Sequence, residues 1–271
     1  MNMKEKLFNF TLIIVIVIAP ALQSCTQTAS ASEETEEVKE EWVSLFNGEN
    51  LDGWTMKITG SPAGVNYKNT FRVEDGKIVT RYDEYDEFNG EFGHLFYKNP
   101  YSKYRLRLEY RAIGDQVPGG PEWAYRNSGV MFHAQAPETM LLDQAFPVCL
   151  EAQFLGGNGT DERPTGNLCT PSSYIDIDGK LVTDHCINSS SATYHGDQWV
   201  SFELIVYADS IVHHVINQDT VMTYTNPVIG GDDIPEGYPE EAGTPMISGY
   251  FALQAESHPF EFRNIELLNM E

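Results

Sequence analysis

Three short stretches of this sequence carry side chains that could bind a polyol or move a proton, and each alternates with period two. In "NSGVMFHAQ", Asn127 and His133 take positions opposite Val130, Phe132 and Ala134. In "VCLEAQFL", Val148 to Leu155, Glu151 and Gln153 oppose Leu150, Ala152 and Phe154. In "YFALQAE", Gln254 and Glu256 share a side with Tyr250, opposite Phe251 and Leu253. A carboxylate or an imidazole can act as general acid or base. A carboxamide orients hydroxyls through a paired donor and acceptor. Trp123 and Tyr125 lie just before the first stretch and offer flat surfaces for a sugar ring. His258 follows Glu256 and precedes Pro259, so it marks a turn at the edge of the set. Any one stretch alone reads as the solvated face of an antiparallel sheet, which needs no function. Three together favour a shared polar patch, and a curved sheet would make it a groove.

Other chemistry-bearing residues have weaker claims. His94 in "GEFGHLFY" is a base, a metal ligand or a turn residue. His185 and His195 could reach over a groove from a long connecting segment, whereas His213 and His214, adjacent on a strand, point to opposite faces. Asp83, Glu84, Asp86 and Glu87 form an acidic cluster, a calcium site or, more simply, a solvated loop.

The elements that must position these groups are strands. "TFRVEDGKIVTR" is a hairpin turning at Asp75-Gly76. "KYRLRLEYR" alternates Tyr104, Leu106, Leu108 and Tyr110 with Arg105, Arg107, Glu109 and Arg111. Trp199 to Tyr224 reads as three strands with tight turns, and Gly249 to Leu268 as two more. Helical periods are missing beyond the N-terminus, so the fold class is all-β, a sandwich or barrel. Gly156 to Gln198 is long for a loop; inside it "YIDIDGKLVT" reads as a small hairpin at Asp178-Gly179.

The chain has 271 residues and a formal charge of −23, which disfavours nucleic acid and anionic lipid as partners. Residues 1–24 read as a lipoprotein signal peptide: a basic start, an apolar run, then "LQSC", whose Cys25 is the expected lipidation site. Residues 25–41 are small, polar and acidic, an expected disordered tether to the membrane. Folded sequence is expected over 42–271, exported to the periplasm or cell surface. Cys169 and Cys186 flank 16 residues and could close a disulfide, leaving Cys149 as a buried thiol. Oligomeric state is left open.

"WVSLFNGENLDGW", "GHLFYKNPYSKYRLRLEYR", "NSGVMFH", "LEAQF", "HGDQWVSFELIVYADSIVHHVINQDTVMTY" and "ALQAESHPFEFRNIELL" together resemble, in order, the 3-keto-disaccharide hydrolase domain family. The resemblance covers Trp42 to the chain end. It implies a concanavalin A-like jelly-roll sandwich of two antiparallel sheets. The implied activity is cleavage of the glycosidic bond of 3-keto-glycosides, by elimination and hydration or by direct hydrolysis. The C3 ketone acidifies the C2 proton, so a base and an enolate stabiliser suffice, and a divalent metal ion could serve as the stabiliser. Glu151 and His133 are the expected catalytic pair. Asn127, Gln153, Gln254, Glu256, Trp123 and His258 are expected to hold the substrate. The chain departs from the family where it has His133, often Arg there, and at "LQAE", where the family often reads Leu-Gln-Asp-His. The alternative is a non-catalytic carbohydrate-binding sandwich.

Overall fold

The computed structural model describes residues 41–271. The signal segment, Cys25 and all but the last residue of the tether lie outside the described residues. In chain order the strands are β1 (Val43–Ser44), β2 (Trp54–Ile58), β3 (Phe71–Glu74), β4 (Lys77–Thr80), β5 (Gly93–Tyr97), β6 (Lys103–Ala112), β7 (Asn127–Ala134), β8 (Leu150–Leu155) and β9 (Asn167–Cys169). They continue as β10 (Ser173–Ile177), β11 (Lys180–Val182), β12 (Cys186–Ile187), β13 (Val200–Tyr207), β14 (Ile211–Ile216), β15 (Asp219–Ile229), β16 (Tyr250–Ala255) and β17 (Phe260–Asn269). Among the described residues three single 3₁₀ turns interrupt them, one at Glu122–Ala124.

Two antiparallel sheets result, the jelly-roll sandwich expected. One has the order β12-β9-β8-β7-β16-β5-β2. The other runs β11-β10-β15-β14-β13-β6-β17-β4-β3, with β1 added on β17. Strand β6 shows why: its burial alternates residue by residue, with Tyr104, Leu106, Leu108 and Tyr110 inside. Across the layer, Leu150, Phe154, Phe251 and Leu253 of the seven-stranded sheet meet Leu106, Leu108, Phe202 and Phe262 in one apolar cluster. Tyr110 stacks on Phe154 at 3.9 Å between ring centroids. The Asp75-Gly76 hairpin forms with both residues at positive φ, 48° and 70°, the geometry a two-residue turn between twisted strands requires.

The segment 156–198 is more than a loop. Its strands β9 and β12 widen the seven-stranded sheet, while β10 and β11 widen the other, turning at Asp178-Gly179. Cys169 and Cys186 stand opposite each other in the β9–β12 ladder and form the disulfide. Cys149 is the buried free thiol.

Strand β7 corrects the sequence reading of His133. Tyr250 pairs with Ala134 but Ala252 with Met131, so β7 carries one extra residue there. His133 sits at this bulge with φ of 47°. The alternation slips past it: Ala134 joins Met131 in a second apolar cluster instead of following Val130 and Phe132 into the main core. His133 is thereby turned away from the face of Asn127. Its Nε2 lies 3.1 Å from the Ala208 carbonyl, on the turn between β13 and β14 of the opposite sheet.

Candidate functional site

The pairing of the seven-stranded sheet brings the polar residues of β16, β7 and β8 to one face. Gly129 stands opposite Gln153, and Met131 opposite Glu151. Gln254 stands opposite His94 of β5, and His94 opposite Lys57 of β2. Beyond β8, Glu151 faces Cys169 and Gln153 faces Asn167. This face is not solvated, contrary to the simplest sequence reading. Asn127, Glu151 and Glu256 are each under 5% exposed and Gln254 is fully buried, because connecting segments cover the sheet.

Under that cover lies a cavity of about 340 Å³, within the range typical of small-molecule sites. Asn127, Glu151, Gln153 and Glu256 line it from the sheet side. Trp123, Phe146, Pro171, His185 and the Cys169–Cys186 bridge line it from the covering segments. Gln254 supports from behind, its Nε2 donating to Glu256 Oε1 at 2.9 Å. Gln153 accepts at Oε1 from Asn167 Nδ2 at 3.0 Å, which fixes the amide plane. Gly129 is required beneath Glu151: a Cβ there would come within 2.8 Å of Glu151 Oε1.

Buried polar groups without partners cost about 1–3 kcal/mol each, so they are rare unless used. Among the described residues, eleven buried side-chain nitrogen and oxygen atoms lack a hydrogen-bond partner. Six of these belong to this one face: both ring nitrogens of His94, Asn127 Oδ1, Glu151 Oε1, Gln254 Oε1 and Glu256 Oε2. The concentration marks a face built to receive a polar ligand.

Burial dominates the electrostatics. It pushes the Glu151 carboxyl up to about 8, opposed only by its hydrogen bond with Gln254. Glu256 is pushed well above the ordinary carboxyl range, first by burial and then by the nearby Glu151 charge. Two carboxyls sharing a dry site cannot both ionise readily. The site therefore carries an acid and a potential base near neutral pH. His94 is held neutral, its affinity for a second proton lowered to about 3 by burial and then by Lys57.

Not every expected residue arrives. His133 is excluded by the bulge, as above. His258 is buried behind Tyr125, ring centroids 5.2 Å apart, and is not on the cavity wall. Burial, followed by Arg126, lowers it to about 4. His195 is spent on the Gly159 amide, which donates to its Nδ1 at 3.0 Å. His213 and His214 diverge as expected, His214 buried against the Gly166 carbonyl. In the acidic cluster, Asp83 is engaged by Arg72. Among the described residues no group of three His, Cys, Asp or Glu side chains is placed to hold a metal ion, so the cation allowed for above has no such ligand set here. Phe146, Pro171 and the disulfide also form cavity wall, with no pattern in the sequence that marks them for it. His94 is a strand residue of β5, buried on the same face as Gln254, and not a turn residue.

Residues 41–268 match the family described as 3-keto-alpha-glucoside-1,2-lyase-like domain. No curated protein matches the chain. Among solved structures, the chain is similar to a Parabacteroides distasonis protein named provisionally as a glycosyl hydrolase, at 18% identity, 86% of this chain, 95% of that one and a TM-score of 0.49. It is similar to the Bacillus licheniformis beta-glucanase at 11% identity, 85% and 98% coverage and a TM-score of 0.46. It is also similar to the carbohydrate binding module CBM66 from Bacillus subtilis at 10% identity, 80% and 96% coverage and a TM-score of 0.44.

Proposed function

The chain belongs to the 3-keto-alpha-glucoside-1,2-lyase-like family, and from that membership we propose that it cleaves the glycosidic bond of 3-keto-glycosides through removal of the C2 proton. The observation that carries the reading is the buried Glu151–Glu256 pair, with Glu151 Oε1 and Glu256 Oε2 both unpartnered beside the cavity. Glu151, the carboxyl with less opposition to ionising, takes the C2 proton. The C–H electrons form the enolate of the C3 ketone. As the ketone re-forms, a C1–C2 double bond appears and the C1–oxygen bond breaks. Glu256, still protonated, gives its proton to the departing oxygen. Water then adds at C1, a proton returns to C2, and the free 3-keto sugar results.

The negative charge gathers on the C3 oxygen, so donors must stand there before reaction. Gln153 suits this role: Asn167 occupies its carbonyl oxygen and leaves its Nε2 for the cavity. Asn127 supplies a second carboxamide on the same wall. Gln254 fixes Glu256 from behind. The usual pair of glycosidase carboxylates flanking an oxocarbenium ion is not needed, because the ketone supplies the acidity.

The exported, lipid-anchored location read from residues 1–25 is part of this proposal. The test of activity is to incubate purified protein with a 3-keto-glucoside, with and without chelator, and follow release of the aglycone. Folded protein that binds the sugar but releases nothing under either condition would replace this reading with the binding module.

A further inference from the structure

The cavity segregates its walls. Its sheet-side liners are polar: Asn127, Glu151 and Glu256 are all buried, with Gln153 half-buried beside them. Its remaining liners are apolar apart from His185: Trp123, Phe146, Pro171 and the Cys169–Cys186 bridge. Trp123 is 55% exposed yet fixed in orientation. Phe92 stacks on it at 5.7 Å and 19° between ring planes, and Phe146 braces Phe92 at 5.1 Å. An exposed indole held flat by a second ring is a platform for another planar group.

We propose that the group leaving C1 is aromatic, a phenol-type aglycone seated on Trp123 beside Phe146. This inference rests on the reaction proposed above. The polar floor satisfies one keto-sugar ring. A second sugar can lie on an indole, but its several hydroxyls would need partners, and among the described residues His185 is the only polar side chain on that apolar wall. Unpaired hydroxyls against Phe146, Pro171 and a disulfide lose affinity. An alkyl group avoids that cost but gains no stacking. An aryl oxygen fits both walls, with the ring on Trp123 and the sugar on the carboxyls.

The experiment compares 3-keto forms of phenyl glucoside, methyl glucoside and a glucose disaccharide of one anomeric configuration. Binding is measured by calorimetry on Glu151→Gln, and turnover on the wild type. The phenyl compound should bind about tenfold more tightly than either other, the increment expected of one aromatic stacking contact. Trp123→Ala should shrink that preference to less than about threefold, and Trp123→Tyr should retain most of it. Trp123 is more than half exposed, so these replacements leave the sandwich intact. A disaccharide that binds as tightly as the phenyl compound, or a phenyl preference untouched by Trp123→Ala, overturns the inference. Turnover of all three with equal KM sinks it too, while leaving the reaction standing. A phenyl preference without any turnover sinks the reaction and leaves the aromatic ligand.

Discussion

Glu151→Gln keeps the outline of the side chain and removes its charge. Burial has pushed this carboxyl from an ordinary 4.5 up to about 8. The native state therefore holds a proton that the unfolded chain releases as pH rises past about 4.5. By linkage the fold loses stability across that window, from about pH 4.5 to about pH 8, and loses none below it. Each tenfold in proton affinity is about 1.4 kcal/mol, so the full window is worth about 5 kcal/mol, an upper figure because Glu256 shares the effect. The variant has no proton to lose at position 151, and only Glu256 still titrates in the site. Its stability relative to wild type should start near a constant packing offset at pH 4 and climb by several kcal/mol towards pH 8. For a domain of this size that is about 10–20 °C in Tm. Urea or thermal unfolding of both proteins at five pH values measures it. Turnover by the variant should fall at least about a hundredfold, and wild-type kcat/KM should rise with pH towards an apparent pKa near 8. Parallel stability curves from pH 4 to 8, or wild-type activity already level at pH 5, would refute the reasoning.

Three further outcomes follow from the same geometry. His133→Ala should leave kcat/KM within about threefold while lowering stability by about 1 kcal/mol, the loss of one hydrogen bond to the Ala208 carbonyl; a hundredfold loss in kcat with normal folding would return His133 to the chemistry. Gly129→Ala places a methyl 2.8 Å from Glu151 Oε1 and 2.9 Å from the Ala152 carbonyl, so kcat should drop more than about tenfold and stability by about 1–3 kcal/mol; unchanged kcat would show that Glu151 need not lie across Gly129. Cys25→Ser should move the protein from the membrane fraction to the soluble exported fraction, and continued membrane association of a processed chain would count against the lipid anchor.

Much of the fold was legible because burial on one face leaves a period-two record. β6 and β8, and the hairpins at Asp75-Gly76 and Asp178-Gly179, could be read directly. The short strands β2 and β5 were harder, since both faces of β5 are buried and polarity no longer alternates with exposure. That is why His94 went unplaced. The polar set Asn127, Glu151, Gln153 and Glu256 was legible as parity within three strands, but its burial was not, because the covering segments carry no periodic signal. His133 illustrates the limit most sharply. One inserted residue reverses the face of everything beyond it, and the only local sign is a positive φ that a sequence does not display. The covering wall of Phe146, Pro171 and the disulfide arises from segments distant in sequence, and no local pattern ties them together.

In the proposed reaction Glu151 removes the C2 proton before the glycosidic bond breaks. The direct test is turnover of a 3-keto-glucoside in heavy water, with the product examined by proton NMR and mass spectrometry, beside a parallel rate measurement on substrate deuterated at C2. One solvent deuteron should appear at C2 of the released 3-keto sugar, with a primary isotope effect on aglycone release, and both release and exchange should be lost in Glu151→Gln. Release of the aglycone with the original C2 hydrogen retained and no isotope effect from C2 deuteration would contradict it.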